Sequence, residues 1–306
     1  MLIAIDASAQ NDGLRLQAET RIDYSGEFLK SNDSNDKMGF SGRYLNVMLS
    51  GNIDDHFSYS YRQRLNKAHA DQSFFDATDW IYLTYAPTSN WQFSAGKQVV
   101  AIGGYEYDRA PIDFYFGSEY WYNMACYQWG VSAKYNLGTE SNDALTLQVT
   151  QSPFRGINPS MLSYNLMWSC SYGWGDYLHS INLAEYQPGK YIGFITLGYQ
   201  FYLGDFKLQL DWMNRADIND FGFNDFSVMA DLSWSASDKL NVFGKYSYDV
   251  NKDNMADYCV LSGTELSRVG AGVEYFPIEG SSDIRLHGAY SFAWGKNTNP
   301  YGSVWG

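Results

Sequence analysis

The sequence predicts an all-β fold, an antiparallel transmembrane β-barrel of 16 strands, with fifteen strands legible and a closing one expected beyond the end of this chain. A count of fourteen is the alternative. Three observations predict it. Segments with period-two alternation recur along the chain at nearly even intervals, as strands with two unlike faces do. Their connections are alternately short and long, which is how an outer-membrane barrel sorts its two rims. Aromatic residues make up 18 % of the chain, with 26 Tyr and 10 Trp, and Tyr and Trp favour positions where one end of the ring is dry and the other wet. An aromatic-rich soluble β-sandwich or carbohydrate binder is the competing reading.

In chain order the strands fall near 14–24, 40–50, 56–65, 79–86, 91–100, 125–136, 144–152, 162–172, 177–186, 191–202, 206–214, 225–235, 239–248, 267–276 and 283–294. Their lengths cluster around the roughly ten residues of a tilted membrane strand. The short connections are Gly51–Asp55, Pro87–Asn90, Leu137–Asp143, Gly173–Asp176, Leu203–Asp205, Ala236–Asp238 and Pro277–Ser282. The others, mostly longer and more polar, are Ser25–Gly39, Asn66–Thr78, Ala101–Met124, Pro153–Met161, Gln187–Lys190, Arg215–Asn224 and Asp249–Leu266. The absence of a linker or composition shift argues for one barrel domain over 10–306. The opening residues MLIAIDASAQ carry the small-x-small pattern Ala7-Ser8-Ala9, so 1–9 are read as the remnant of a secretory signal.

Parity assigns the faces. In 14–24, Leu14, Leu16, Ala18, Thr20, Ile22 and Tyr24 share one face and Arg15, Gln17, Glu19, Arg21 and Asp23 the other. Charge alternating with apolar residues needs a wet interior facing one way and lipid facing the other. The inward basic residues are Arg15, Arg21, Arg62, Arg64, Lys134, Lys207, Lys245, Arg268 and Arg285; the inward acids are Glu19, Asp23, Asp211, Asp231 and Glu274. The expected wall therefore carries an excess of about four positive charges, while the whole chain carries −13. Such a wall favours anions if the cations are free, and merely braces the barrel if they pair with the luminal acids. An acidic chain is a poor partner for nucleic acid.

The stretch 101–123, AIGGYEYDRAPIDFYFGSEYWYN, breaks the alternation. A connection of this length without its own periodicity is usually functional. Asp108, Arg109, Asp113 and Glu119 give it charge, and Gly103, Gly104, Pro111 and Gly117 give it bends. It is expected to fold inward and constrict the lumen, with an outward loop holding a partner protein as the alternative.

Three cysteines, Cys126, Cys170 and Cys259, show no CxxC or Cys/His spacing and are expected to stay unpaired. The histidines His56, His69, His179 and His287 are scattered without metal spacing, so neither a metal nor a cofactor is expected. His179-Ser180-Ile181-Asn182 gathers residues used by hydrolases, but neighbours on a strand point to opposite faces and cannot form a nucleophile–base pair, so no enzyme is expected.

The runs GRYLNVMLSGNIDDHFSYSYRQRL, DATDWIYLTY and WQFSAGKQVVAIGGYEYD resemble the phosphate-selective porin O and P family, in the form common in Bacteroidetes. The likeness runs from about Gly13 to Trp294 and is strongest from Gly42 to Asp108, with Gly96-Lys97 leading into the long loop. The resemblance implies a sixteen-stranded, trimeric, water-filled channel of the Gram-negative outer membrane, with its third loop folded inward and basic residues guiding anions. The expected function is passive diffusion of small hydrophilic solutes with some preference for anions; the alternative is a plugged barrel serving as a binding or scaffold protein. Phosphate selectivity is not carried over, because a phosphate pathway needs closely stacked cationic donors and the loop offers one arginine against several acids.

Overall fold

The computed structural model describes residues 9–11, 13–27, 37–67, 73–138, 143–154, 160–217 and 222–296. Of the expected leader remnant, all but Ala9 lies outside the described residues, as do His69 and residues 297–306. The chain forms one antiparallel sheet in strict sequence order: β1 (Ala9–Asn11), β2 (Leu14–Glu27), β3 (Lys37–Asn52), β4 (Phe57–Arg64), β5 (Thr78–Tyr85), β6 (Trp91–Val99), β7 (Tyr127–Asn136), β8 (Ala144–Gln151), β9 (Leu162–Tyr172), β10 (Gly175–Gln187), β11 (Lys190–Leu203), β12 (Phe206–Asp217), β13 (Asp225–Ser237), β14 (Leu240–Asn251), β15 (Thr264–Tyr275) and β16 (Leu286–Lys296).

The fifteen predicted strands correspond one to one with β2 through β16. Among the described residues one further strand precedes them. It is the short β1, which pairs with the start of β2 through Ala9↔Leu16, Gln10↔Arg15 and Asn11↔Leu14. Alternation could not reveal it, since three residues are too few to establish a period.

The polarity of the sheet is that of a membrane barrel. Large apolar side chains on one face lie open to the surroundings, among them Leu14, Leu16, Leu83, Phe93, Val131, Leu147, Ile181 and Val273. The other face carries the buried polar groups, including Arg21, Asp23, Asn46, Arg62, Asp211, Arg215, Lys245 and Asp249. A water-soluble protein could not leave such an apolar belt exposed, whereas hydrocarbon solvates it without cost. Between neighbouring strands from β1 to β16 the ladders meet backbone polarity, the only route open to a strand in lipid.

Aromatic residues gather beside the short turns. Trp91 stacks on Phe93 at 5.6 Å and meets Tyr135 at 4.7 Å. Phe57 stacks on Tyr85, Phe206 on Trp234, and Trp174 lies within ring contact of Tyr172, Tyr177 and Phe201. This is an interfacial girdle at the short-turn rim.

Two irregularities in register change which side chains look inward. Between β2 and β3 the pairing passes from Arg21↔Tyr44 to Ile22↔Gly42, leaving Arg43 as an extra residue. Between β4 and β5 it passes from Arg62↔Trp80 to Gln63↔Thr78, leaving Asp79 as an extra residue. Bulges of this kind re-aim side chains. Both bulged residues reach the inward charges, although simple parity assigns neither of them there.

Candidate functional site

The segment between β6 and β7 holds two short helices, α1 (Tyr105–Asp108) and α2 (Glu119–Asn123), with a 3₁₀ turn at Pro111–Asp113 between them. Its backbone begins against the wall through glycine. Gly104 has φ +95°, open to few residues other than glycine, and a Cβ on Gly198 of β11 would come within 2.9 Å of the Gly104 Cα. The Gly103 N–H donates to Ser180 Oγ at 2.8 Å, and Asn182 Nδ2 donates to the Ala101 carbonyl at 2.8 Å. The Ser and Asn of the His179–Asn182 run are thus anchors for this segment. His179, on the opposite face, sits among the rings of Trp168, Tyr177 and Tyr199.

From there the segment reaches across to strands far away in the chain. The Asp211 carboxylate accepts the N–H groups of Tyr105 at 2.8 Å and Glu106 at 2.7 Å. Glu106 pairs with Lys245 at 2.5 Å and also accepts the Ser118 hydroxyl. Arg109 spans Asp231 at 2.9 Å and Gln209 at 2.6 Å. Further along, the Glu119 N–H donates to Asp249 at 2.9 Å, and the Glu119 carboxylate meets Arg268 at 3.3 Å. Phe116 lies over Gly270, where a Cβ would come within 2.5 Å of its ring. At the tip, Arg285 meets Asp113 at 2.6 Å, while Arg21 donates to the carbonyls of Ile112 at 3.2 Å and Phe114 at 2.8 Å.

The expected cations therefore divide into two groups. Arg21 pairs with Asp23 at 2.7 Å, Arg62 with Glu19 at 3.0 Å and Asp79 at 3.3 Å, and Arg64 with Asp79 at 2.8 Å. Lys245, Arg268 and Arg285 pair as described above, the last also with Glu274 at 3.1 Å. Arg15, Lys134 and Lys207 have no ion pair among the described residues. Asp108 is exposed on the segment, and Asp113 and Glu119 each face a cation.

Sequence reasoning missed several charged groups. Arg43 and Asp79 were hidden by their bulges. Arg215, which continues the inward face of β12 beyond the expected strand end, is fully buried between Asp225 at 3.0 Å and Asp257 at 2.7 Å, with its guanidinium over the Tyr120 ring. The simple signal that would have found it is continued parity through Asp211, Met213 and Arg215.

A second connection folds onto the first. Residues 252–263 contribute Ala256, Cys259 and Val260 to a dry cluster with Val100, Ile102, Tyr120, Phe154, Ile192, Phe194 and Met213. Asn123 Nδ2 donates to the Cys259 carbonyl at 2.9 Å. On the short-turn side of the loop, a cavity of about 550 Å³ is lined by Asp108, Arg109, Tyr115, Lys207, Phe243 and Arg285 among others.

A single membrane-type sheet with an apolar exterior, a charged interior and a long connection bonded across that interior defines an outer-membrane diffusion channel. The chain belongs to the phosphate-selective porin O and P family, whose family model matches residues 14–194. Among solved structures it is similar to the outer membrane channel DcaP of Acinetobacter baumannii, at 14 % identity and TM-score 0.67, over 94 % of this chain and 96 % of that one. It is also similar to an anion-selective porin from Comamonas acidovorans, at 12 % identity and TM-score 0.67, over 96 % and 91 %. A third is the outer membrane protein OmpT of Vibrio cholerae, at 15 % identity and TM-score 0.63, over 95 % and 90 %. No curated protein matches the chain. These likenesses are of fold. Family membership places the chain in the Gram-negative outer membrane as a channel for passive diffusion of small solutes.

Proposed function

We propose that the 101–123 connection is the constriction of this channel, that discrimination between ions there is weak, and that the molecule works as a homotrimer without catalytic activity. The observation that carries the reading is the span of the segment's bonds, which run from Gln148 on β8 through Ser180, Asp211, Asp231, Lys245 and Arg268 to Arg21 on β2. A loop tied to so many inward positions stands in the path of any solute.

Weak selectivity follows from neutralisation. Six of the nine expected wall cations are engaged with carboxylates, and a paired guanidinium offers a passing anion little net field. A preference for anions would then rest on Lys207, Arg15 and Lys134. The trimer is the assembly implied by the family resemblance, and cross-linking of protein in outer-membrane vesicles tests it.

Single-channel recording in a planar bilayer tests the main reading. Small regular conductance steps, with a reversal potential near zero under a salt gradient, are expected. A large reversal potential of the anionic sign overturns the weak selectivity. The dry cluster around Tyr120 and Val260 favours a second reading, in which the barrel is plugged and acts as a binding or scaffold protein. Absence of any conductance step would establish that one instead.

A further inference from the structure

The tip of the loop ends at the seam of the sheet. Among the described residues no ladder joins β16 to β1 or β2. Two arginines from the flanks of that seam nevertheless grip the same loop carbonyl. Arg21 of β2 donates to the Ile112 carbonyl at 3.2 Å, and Arg285, one residue before β16, donates to it at 3.3 Å.

Each grip is itself braced. Arg21 chelates Asp23, Nε to Oδ1 at 3.0 Å and Nη2 to Oδ2 at 2.7 Å, which leaves Nη1 aimed at Ile112 and Phe114. Arg285 splits its donors between Glu274 at 3.1 Å and Asp113 at 2.6 Å. Tyr115 completes the joint. Its hydroxyl donates to Glu274 at 2.6 Å, and its ring lies 4.7 Å from the Arg21 guanidinium, 5.8 Å from that of Arg285 and 4.5 Å from the His287 ring. Arg21 is buried and Arg285 nearly so, so neither guanidinium stands free to meet a solute.

We propose that Ile112–Tyr115 is a clasp across the seam, tying the first and last long strands together, and that Arg21 and Arg285 are positioning residues that set the bore. The proposal rests on the channel reading above for its meaning in transport. A planar fork is what the geometry requires: each guanidinium binds a carboxylate and a backbone carbonyl at once, in directions fixed by one rigid group. Lysine carries the same charge as a single point and cannot hold both in that arrangement.

The test is the double variant Arg21→Lys with Arg285→Lys, recorded as purified full-length protein in planar bilayers beside the wild type. The expected result is a unit conductance raised about twofold or more with noisier open states, at an unchanged reversal potential, because the constriction loses a support while the wall keeps its charge. Unchanged conductance overturns the clasp. If the double variant does not fold, Asp113→Asn with Tyr115→Phe, which alters only the loop side, is read by its conductance alone, since it also removes one negative charge: a raised conductance supports the clasp and an unchanged one overturns it. A wild type that does not conduct defeats the channel reading alone. The clasp is then judged by the urea midpoint of the variants, where a lowered value supports it and an unchanged value overturns it.

Discussion

Asp23 of β2 and His287 of β16 lie at opposite ends of the sheet in chain order, yet Asp23 Oδ1 is 3.3 Å from His287 Nε2. The sheet has curled until its two flanks meet. Asp23 also takes Arg21 at 2.7 Å and Arg43 at 3.6 Å, so one carboxylate gathers three basic side chains. Replacing it by Asn leaves Arg21 and Arg43 facing each other without their shared counter-charge. Asp23→Asn is expected to destabilise the barrel by roughly 2 kcal/mol, below the cost of breaking a fully dry pair because the lumen is wet. A lowered urea midpoint in lipid vesicles checks this, and an unchanged midpoint would show that the seam does not depend on Asp23.

Arg215 presents the dry counterpart. With its side chain fully buried between Asp225 and Asp257, it leaves two carboxylates facing one another if removed. Arg215→Met is expected to cost about 3–5 kcal/mol and to free the 252–263 connection from the loop beneath it. Proteolysis of intact cells within 252–263, absent in the wild type, is the measurement; continued resistance argues against the anchor.

Reversing charge has different consequences at paired and unpaired sites. Arg62 is 3 % exposed between Glu19 and Asp79, so Arg62→Glu would crowd three acids together and is expected to reduce the folded yield rather than report on selectivity. Lys207 lines the cavity beside the loop without an ion pair among the described residues. Lys207→Glu is expected to fold normally and move the reversal potential toward cations under a tenfold salt gradient. Should it not move, Lys207 lies off the ion path.

The packing of the two connections can also be read chemically. Cys259 is 1 % exposed, and burial holds its thiol well above the ordinary range, while burial pushes the Cys126 thiol up to about 11. Only the thiolate reacts quickly, so both are expected to resist maleimide near neutral pH and to label once the protein is unfolded in urea. Rapid labelling of folded Cys259 would mean that 252–263 does not rest on the loop.

A glycine contact offers a steric test of the loop's seat. Gly198→Val is expected to push Gly104 off β11, since even a Cβ there would stand 2.8 Å from the Leu178 carbonyl and 2.9 Å from the Gly104 Cα. The expected outcome is a larger and less regular conductance than the wild type. A conductance equal to that of the wild type would place the seat elsewhere.

The amino-acid sequence by itself determined the alternation of two unlike faces along the regular stretches of the long strands, though not across the bulges at Arg43 and Asp79. Leu14, Leu16 and Ile22 against Arg21 and Asp23 is a pattern of a sheet with one apolar and one wet face, and it requires no knowledge of which strands are neighbours. It also marked 101–123 as the segment with a task, because charge and glycine without periodicity have no place in such a strand. What only the tertiary structure decided was the pairing of charges. Parity placed Arg62 inward but could not place Asp79 beside it, since a bulge inserts a residue without altering the composition around it. Nor could it bring Arg21 and Arg285 to one carbonyl of Ile112, because that meeting depends on the curvature accumulated over the whole sheet, and curvature is written in no single strand.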